Sequence, residues 1–212
     1  MMTVTLLAIR ALGDGSEVEL CFEMRDGDQT QRERAVLSSA DFADLRLLKG
    51  EVSTACMDAV LAAGERHSAR KRALRILTYG RCSEKRLIQK LRAKGVACSI
   101  ARETAALLSE EGYLDGGEDA LREAEKDLLK LWGERRIVAD LRAKGYESEA
   151  IAEAISSLRE SADFSEACAE RIRKSFGAIS DDPQERQKQI ASLERAGFTF
   201  AQIRRAIELT NE

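Results

Sequence analysis

The chain has 212 residues, of which 44% are hydrophobic and 33% are charged. This length supports one large or two small domains with a hydrophobic core, and the composition excludes a predominantly disordered chain. No stretch approaches the ~20 consecutive apolar residues of a membrane helix. The apolar start, Met1 to Leu12, contains Arg10 and lacks the basic leader of a signal peptide. The five cysteines show no CxxC spacing, which fits a reducing compartment, so we expect a cytoplasmic protein.

The first part of the chain predicts a small sheet. Apolar and polar residues alternate at period two from Val18 to Met24. Turn residues lie on both sides of this segment, at 13–16 and 25–28. The pattern over residues 3–37 therefore predicts a three-stranded antiparallel meander.

Two helical stretches follow the predicted sheet. Ser38 or the next serine can cap a first helix, which Gly50 ends. A longer stretch extends from about Ser53 toward Tyr79, with room for an interruption near Gly64.

The rest of the chain is repetitive. Leu91-Arg-Ala-Lys-Gly95 recurs as Leu141-Arg-Ala-Lys-Gly145, and more weakly as Leu193-Glu-Arg-Ala-Gly197. Each copy reads as the end of a helix closed by a glycine in the left-handed conformation. A second amphipathic helix follows each glycine, and a third helix precedes each pair, at about 69–79, 118–131 and 163–176.

The predicted fold is mainly α, with three tandem three-helix repeats preceded by a small N-terminal antiparallel β plus helix region. The predicted boundaries are 1–67 for the N-terminal region and 68–115, 116–160 and 161–212 for the three repeats. The segment 179–183 is the predicted flexible joint.

Catalytic, metal and cofactor chemistry has little support in the sequence. His67 is the single histidine, and the cysteines lack zinc-ligand spacing. The glycines at 112, 116 and 117 lack the lysine and serine of a phosphate-binding loop. We expect a protein that is not an enzyme and that uses no metal and no cofactor.

The basic residues carry the strongest functional signal. Residues 68–95 contain ten lysines and arginines and one acidic residue, whereas residues 1–67 contain seven basic and twelve acidic residues. Cations near a helix C-terminus interact favourably with the helix dipole, but that effect does not explain ten basic residues within 68–95. We predict a cationic outer face that binds a negatively charged partner. Its predicted residues are Arg72, Arg75, Arg81, Lys85, Arg86, Arg92, Lys94, Arg135, Arg136, Arg142 and Lys144.

The basic residues by themselves do not identify the negatively charged partner. Arginine and lysine bind nucleic-acid phosphates with a strong salt dependence, and they suit an acidic protein surface equally well. Trp132, close to Arg135 and Arg136, either stacks on a nucleobase or packs between helices.

Two repeated Lys-Gly helix ends, at Gly95 and Gly145, lie on either side of the segment Glu111-Gly-Tyr-Leu-Asp115. With these motifs, residues 69–145 resemble the RecX family of RecA regulators. The resemblance implies a non-catalytic regulator of homologous recombination, DNA repair and the SOS response, which binds the RecA filament and typically inhibits its ATPase and strand exchange. Some members also bind DNA directly, so single- or double-stranded DNA is a second expected partner. We expect a monomer that does not bind a membrane. The alternatives are a stand-alone nucleic-acid-binding helical module and a scaffold for another acidic protein.

The second repeat departs from the family pattern. Gly116-Gly117 follows the Gly-Tyr-Leu-Asp segment, where members have a further acid and then an aromatic-alanine pair. The next helix is acidic instead of arginine-rich, and it ends in Trp132-Gly133. The first repeat is therefore the better candidate for phosphate contact.

Overall fold

The structure is a computed structural model that describes residues 2–211. Over that range the chain forms an N-terminal antiparallel sheet followed by helices, which confirms the predicted fold class. The strands are β1 (Thr3–Leu12), β2 (Glu17–Asp26), β3 (Gln29–Ser38) and β4 (Gly50–Val52). The helices are α1 (Ser39–Leu45), α2 (Thr54–Thr78), α3 (Glu84–Ala93), α4 (Cys98–Glu110), α5 (Gly116–Leu129), α6 (Glu134–Lys144), α7 (Ser148–Ser161), α8 (Phe164–Phe176), α9 (Pro183–Arg195) and α10 (Phe200–Asn211).

The chain divides into two compact units. The first contains the residues up to Tyr79 together with Lys90–Ala105. The second contains Gly80–Gln89 and the residues from Ala106 onward. The division passes through α3 and α4, so each unit takes part of both helices.

The sheet of the first unit has four strands in the order β3-β2-β1-β4. The predicted three-stranded meander is present, with β2 antiparallel to both β1 and β3. The prediction missed β4, which pairs with β1 and places Val52 opposite Val4. A three-residue strand that begins with glycine and glutamate shows no alternation from which it could be recognised.

One face of this sheet is covered by α2. Leu6, Leu20, Phe22 and Leu37 are almost fully buried, and Val60 of α2 belongs to the same apolar cluster. Burial of one such side chain stabilises the fold by about 1.5–3 kcal/mol. This cluster is the hydrophobic core of the first unit.

Helix α2 continues without the interruption that the sequence allows near Gly64. The Ser53 side chain accepts a hydrogen bond from the backbone N–H of Cys56 at 3.1 Å and caps the first turn. A Cβ on Gly64 would lie 3.4 Å from the carbonyl oxygen of Val36. Gly64 therefore allows the helix to approach β3 closely, and it does not break the helix.

The second unit contains two complete sets of three helices, α5–α7 and α8–α10, each with its own apolar cluster. The first cluster includes Ile137, Leu141 and Leu158. The second includes Ile172 and Phe198. The second and third predicted three-helix repeats thus correspond to helix sets that each bury a core of their own.

The segment before α9 makes several local hydrogen bonds. The Asp182 carboxylate accepts from the backbone N–H of Glu185 at 2.9 Å, and Pro183 occupies the first turn of the helix. The backbone N–H of Ser180 donates to the side-chain oxygen of Gln189 at 2.9 Å. Flexibility of this joint stays a prediction.

Candidate functional site

The basic residues of the first unit are mostly solvent-exposed. Arg72, Arg75, Arg92 and Lys94 are all exposed. The Nη1 atom of Arg72 donates a hydrogen bond to the carbonyl oxygen of Lys94 at 3.1 Å. Within residues 2–211, no carboxylate oxygen lies within 4.0 Å of the charged nitrogens of these four side chains. Their charges are therefore available to a partner.

Two further basic side chains of α2 are paired with an acid inside the first unit. His67 Nε2 and Lys71 Nζ each lie 2.7 Å from the same oxygen, Oε1 of Glu17. Hydrogen bonds from Lys71 and then His67 lower the pKa of Glu17. His67, which the sequence singled out only as an isolated histidine, thus anchors α2 to the sheet.

In the second unit, Lys85 and Arg86 lie in the first turn of α3 and are exposed. The aliphatic stem of Lys85 packs against the backbone of Gly145, where an added Cβ would lie 2.7 Å from Lys85 Cδ. Among the described residues, no carboxylate lies within 4.0 Å of the charged end of either side chain. Lys85 thus combines a packed stem with an exposed ammonium, as long basic side chains often do.

The charge of Arg81, four residues before Lys85, is partly neutralised. Its Nη1 lies 3.4 Å from Oδ1 of Asp119 and 3.6 Å from Oε2 of Glu118. Asp119 is 3% exposed, and this burial raises the pKa of its carboxyl group. Arg81 therefore serves mainly to compensate a buried acid on α5.

The start of α6 presents an arginine stacked on the single tryptophan. The guanidinium of Arg136 lies 3.9 Å from the centroid of the Trp132 ring, and Nζ of Lys130 lies 4.9 Å from it. Such cation–π contacts are worth about 0.5–1 kcal/mol at exposed sites. Arg135 and Arg142 are exposed, with no carboxylate within 4.0 Å in the part of the chain that the structure describes.

Lys144 is held inside a polar cluster, in contrast to the outward position that the sequence suggested. Its Nζ lies 2.5 Å from Asp140, 2.7 Å from Glu123 and 3.8 Å from Asp127. Its side chain is only 18% exposed. Because its charge is matched by carboxylates of α5 and α6, we leave Lys144 out of the surface proposed below.

The electrostatics of this cluster follow from its ion pairs. Burial disfavours the ammonium of Lys144, but hydrogen bonds to Asp140 and Glu123 outweigh it and raise the pKa of Lys144. Burial likewise disfavours the Glu123 carboxylate, but hydrogen bonds from Lys126 and Lys144 lower its pKa to about 2. The sequence analysis expected the acidic residues of α5 to weaken phosphate contact by the second repeat. In the structure, Glu123 and Asp127 of this helix neutralise Lys144.

Other chemistries have little support among residues 2–211. No group of three or more histidine, cysteine, aspartate and glutamate side chains there could hold a metal ion. Burial raises the pKa of the Cys168 thiol to about 12, so this cysteine is not a thiolate at neutral pH. No helix over the same range has the length and apolar character to cross a membrane.

The relatives of the chain agree with this helical arrangement. Residues 163–207 match the family model described as "RecX, third three-helix domain". The "Regulatory protein RecX" of Stenotrophomonas maltophilia (strain R551-3) is 33% identical over 137 residues, which cover 64% of this chain and 83% of the relative. The protein of the same name from Vibrio cholerae (strain M66-2) is 32% identical over 142 residues, 66% of this chain and 92% of the relative.

The chain belongs to the RecX family.

Solved RecX structures share the fold. A crystal structure of regulatory protein RecX superimposes with a TM-score of 0.73 at 18% identity, and covers 94% of this chain and 96% of that chain. The crystal structure of RecX from Lactobacillus salivarius gives a TM-score of 0.58 at 19% identity, over 69% of this chain and 97% of that chain. Both curated relatives carry the name regulatory protein, which does not describe an enzymatic activity.

Proposed function

We propose that this RecX-family chain is a non-catalytic, cytoplasmic regulator that binds RecA nucleoprotein filaments and inhibits their ATPase and strand-exchange activities. The observation that carries the proposal is the set of exposed basic side chains without an internal carboxylate. In the first unit these are Arg72, Arg75, Arg92 and Lys94. In the second unit they are Lys85, Arg86, Arg135 and Arg142.

A RecA filament on DNA offers a suitable binding surface. Its DNA carries closely spaced phosphates, which exposed arginine and lysine side chains bind while counterions are released. An acidic surface on the filament protein would add complementary charge. Arg81 and Lys144 contribute little to this attraction, because their own carboxylate partners neutralise them.

Inhibition follows from binding by mass action. A ligand that binds one state of an assembly more tightly than another shifts the assembly toward the favoured state. A regulator that favours a shortened or inactive filament therefore lowers ATPase activity without a catalytic step of its own.

The direct experiment is a titration of this protein into RecA ATPase assays on single-stranded DNA. We expect ATP hydrolysis to fall as the protein is added, and the inhibition to weaken as salt is raised. ATPase activity that is unchanged up to a large excess of the protein would overturn the proposal.

A stand-alone nucleic-acid-binding module is the second candidate, and one observation favours it. Arg135 and Arg136 are both exposed at the start of α6, where their charges suit nucleic-acid phosphates, while Trp132 packs against the apolar cluster of α5–α7 and stacks with Arg136. This candidate predicts tight binding to single-stranded DNA that does not depend on RecA. A salt titration of DNA binding with and without RecA distinguishes the two functions.

A further inference from the structure

The middle helix of each repeat is the one that its turn glycine follows: α3, α6 and α9. These three helices end in the same backbone turn. In each, the glycine N–H bonds to a carbonyl three residues earlier, and the next N–H bonds to a carbonyl five residues earlier. Gly95, Gly145 and Gly197 have φ values of +83°, +83° and +96°. We call the segments 94–96, 144–146 and 196–198 the glycine turns.

Two of the glycine turns are covered by another helix. The start of α3 covers the turn 144–146, and the start of α6 covers the turn 196–198. The hydroxyl of Ser83 donates to the carbonyl oxygen of Lys144 at 2.5 Å. The backbone N–H of Gly133 donates to the carbonyl oxygen of Ala196 at 2.8 Å. Each donor lies twelve residues before the glycine of its own repeat, and each acceptor directly precedes the next glycine. The two junctions therefore occupy equivalent positions in the repeats, although one donor is a side-chain hydroxyl and the other a backbone N–H.

The covered turns leave no room for side chains at their glycines. A Cβ on Gly145 would lie 2.7 Å from Lys85 Cδ, and a Cβ on Gly197 would lie 2.5 Å from the backbone nitrogen of Arg136. These glycines thus close their own helix and also accept another helix against their backbone.

The first glycine turn has the same conformation and is uncovered. Lys94 and Gly95 are exposed, whereas the equivalent Ala196 and Gly197 are buried. No described atom lies within 4 Å of the position that a Cβ on Gly95 would occupy. The carbonyl oxygen of Lys94 accepts from Arg72, an exposed and movable side chain, and a carbonyl oxygen has capacity for a second donor.

We propose that the first glycine turn is a docking site for the start of a helix on the protein surface of the RecA filament. The two internal junctions indicate the chemistry of this helix start. It has a small or hydroxyl residue that donates to the Lys94 carbonyl, as Gly133 and Ser83 do, followed by an acid, as Glu134 and Glu84 follow them. Arg72, Arg92 and Lys94 supply positive charge at the turn, which favours an acidic partner.

The choice of RecA as the partner rests on the proposed function. The docking site is tested with filaments of RecA on single-stranded DNA. Gly95→Asn places a side chain where the partner helix would lie, and asparagine tolerates a positive φ better than most residues. Gly112→Asn is the matched control. Gly112 lies two residues after α4 and has a φ of +78°, the same pair of backbone hydrogen bonds and no described atom within 4 Å of an added Cβ.

We expect Gly95→Asn to bind the filaments at least tenfold more weakly than the wild type in co-sedimentation, and Gly112→Asn to bind within twofold of it. Binding of both variants to bare single-stranded DNA should equal that of the wild type. Melting temperatures of the two variants show whether both remain folded to the same extent.

Each other outcome overturns the proposal in a recognisable way. Equal filament binding by Gly95→Asn and the wild type shows that the turn is not the docking site, while the proposed function stands. Failure of the wild type itself to bind filaments removes the proposed function and the docking site with it. A wild-type dimer in sedimentation velocity that Gly95→Asn abolishes would assign the turn to a second copy of this chain.

Discussion

The backbone N–H of Gly133, just before α6, donates a hydrogen bond to the carbonyl oxygen of Ala196, at the end of α9. The backbone N–H of Arg135 then donates to the carbonyl oxygen of Gly197 at 3.1 Å. The second and third repeats are thus joined backbone to backbone. This contact requires that Gly197 lack a side chain, so we expect substitutions at Gly197 to lower the free energy of unfolding.

Gly197→Ala should lower the free energy of unfolding by about 3 kcal/mol or more. Its Cβ would lie 2.5 Å from the backbone nitrogen of Arg136, which cannot move aside as a flexible side chain can. Gly95→Ala should lower the free energy of unfolding by only about 1–2 kcal/mol, the cost of a positive φ, because its Cβ has no described atom within 4 Å. Urea unfolding followed by circular dichroism measures both values. Equal losses in the two variants would contradict the junction.

Lys144→Met should be destabilising, by about 3 kcal/mol, because it removes the cation that three buried or partly buried carboxylates share, although Lys126 and Lys130 still pair with two of them. The affected groups are Glu123, Asp127 and Asp140. Lys85→Met is the control, since the Lys85 stem is retained and its exposed ammonium has no carboxylate partner among the described residues. We expect its unfolding free energy to stay within about 0.5 kcal/mol of wild type. A small effect of Lys144→Met would show that its ion pairs contribute little.

The same cluster predicts a dependence of stability on pH. The folded-state pKa of Glu123 is about 2, below its usual value of 4.5. Its contribution is therefore complete above the unfolded pKa and is lost as the pH falls toward 2. Glu123→Gln should reduce the loss of stability between pH 5 and pH 2 by about 1–2 kcal/mol, less than the full shift implies because the carboxylate is partly exposed. Parallel wild-type and variant curves over that range would contradict the assignment.

The repeats were predictable from sequence because their signal is local. A glycine that ends an apolar helical stripe fixes a helix end within one segment, so the ends of α3, α6 and α9 followed from the pattern around Gly95, Gly145 and Gly197. The short strand β4 was not predictable, because its pairing with β1 joins residues distant in sequence.

The candidate site was predictable in part, for the same reason. Charge density identified the basic helices, but neutralisation of a cation depends on partners from other elements. Asp140 lies four residues before Lys144, a spacing that could have suggested an ion pair on one helix face. Glu123 and Asp127 approach Lys144 only because α5 packs against α6, and sequence spacing does not show this.

Charge reversal at the start of α3 tests the central claim most directly. Lys85→Glu with Arg86→Glu reverses two exposed cations whose charged ends have no carboxylate within 4.0 Å among residues 2–211. Arg186→Glu with Lys188→Glu makes the same change of net charge on exposed positions of α9. The measurement is the concentration of each protein that halves RecA ATPase activity on single-stranded DNA, with circular dichroism to confirm folding. We predict an increase of at least tenfold for the α3 pair and less than twofold for the α9 pair, whereas equal inhibition by a folded α3 variant and the wild type would contradict the account.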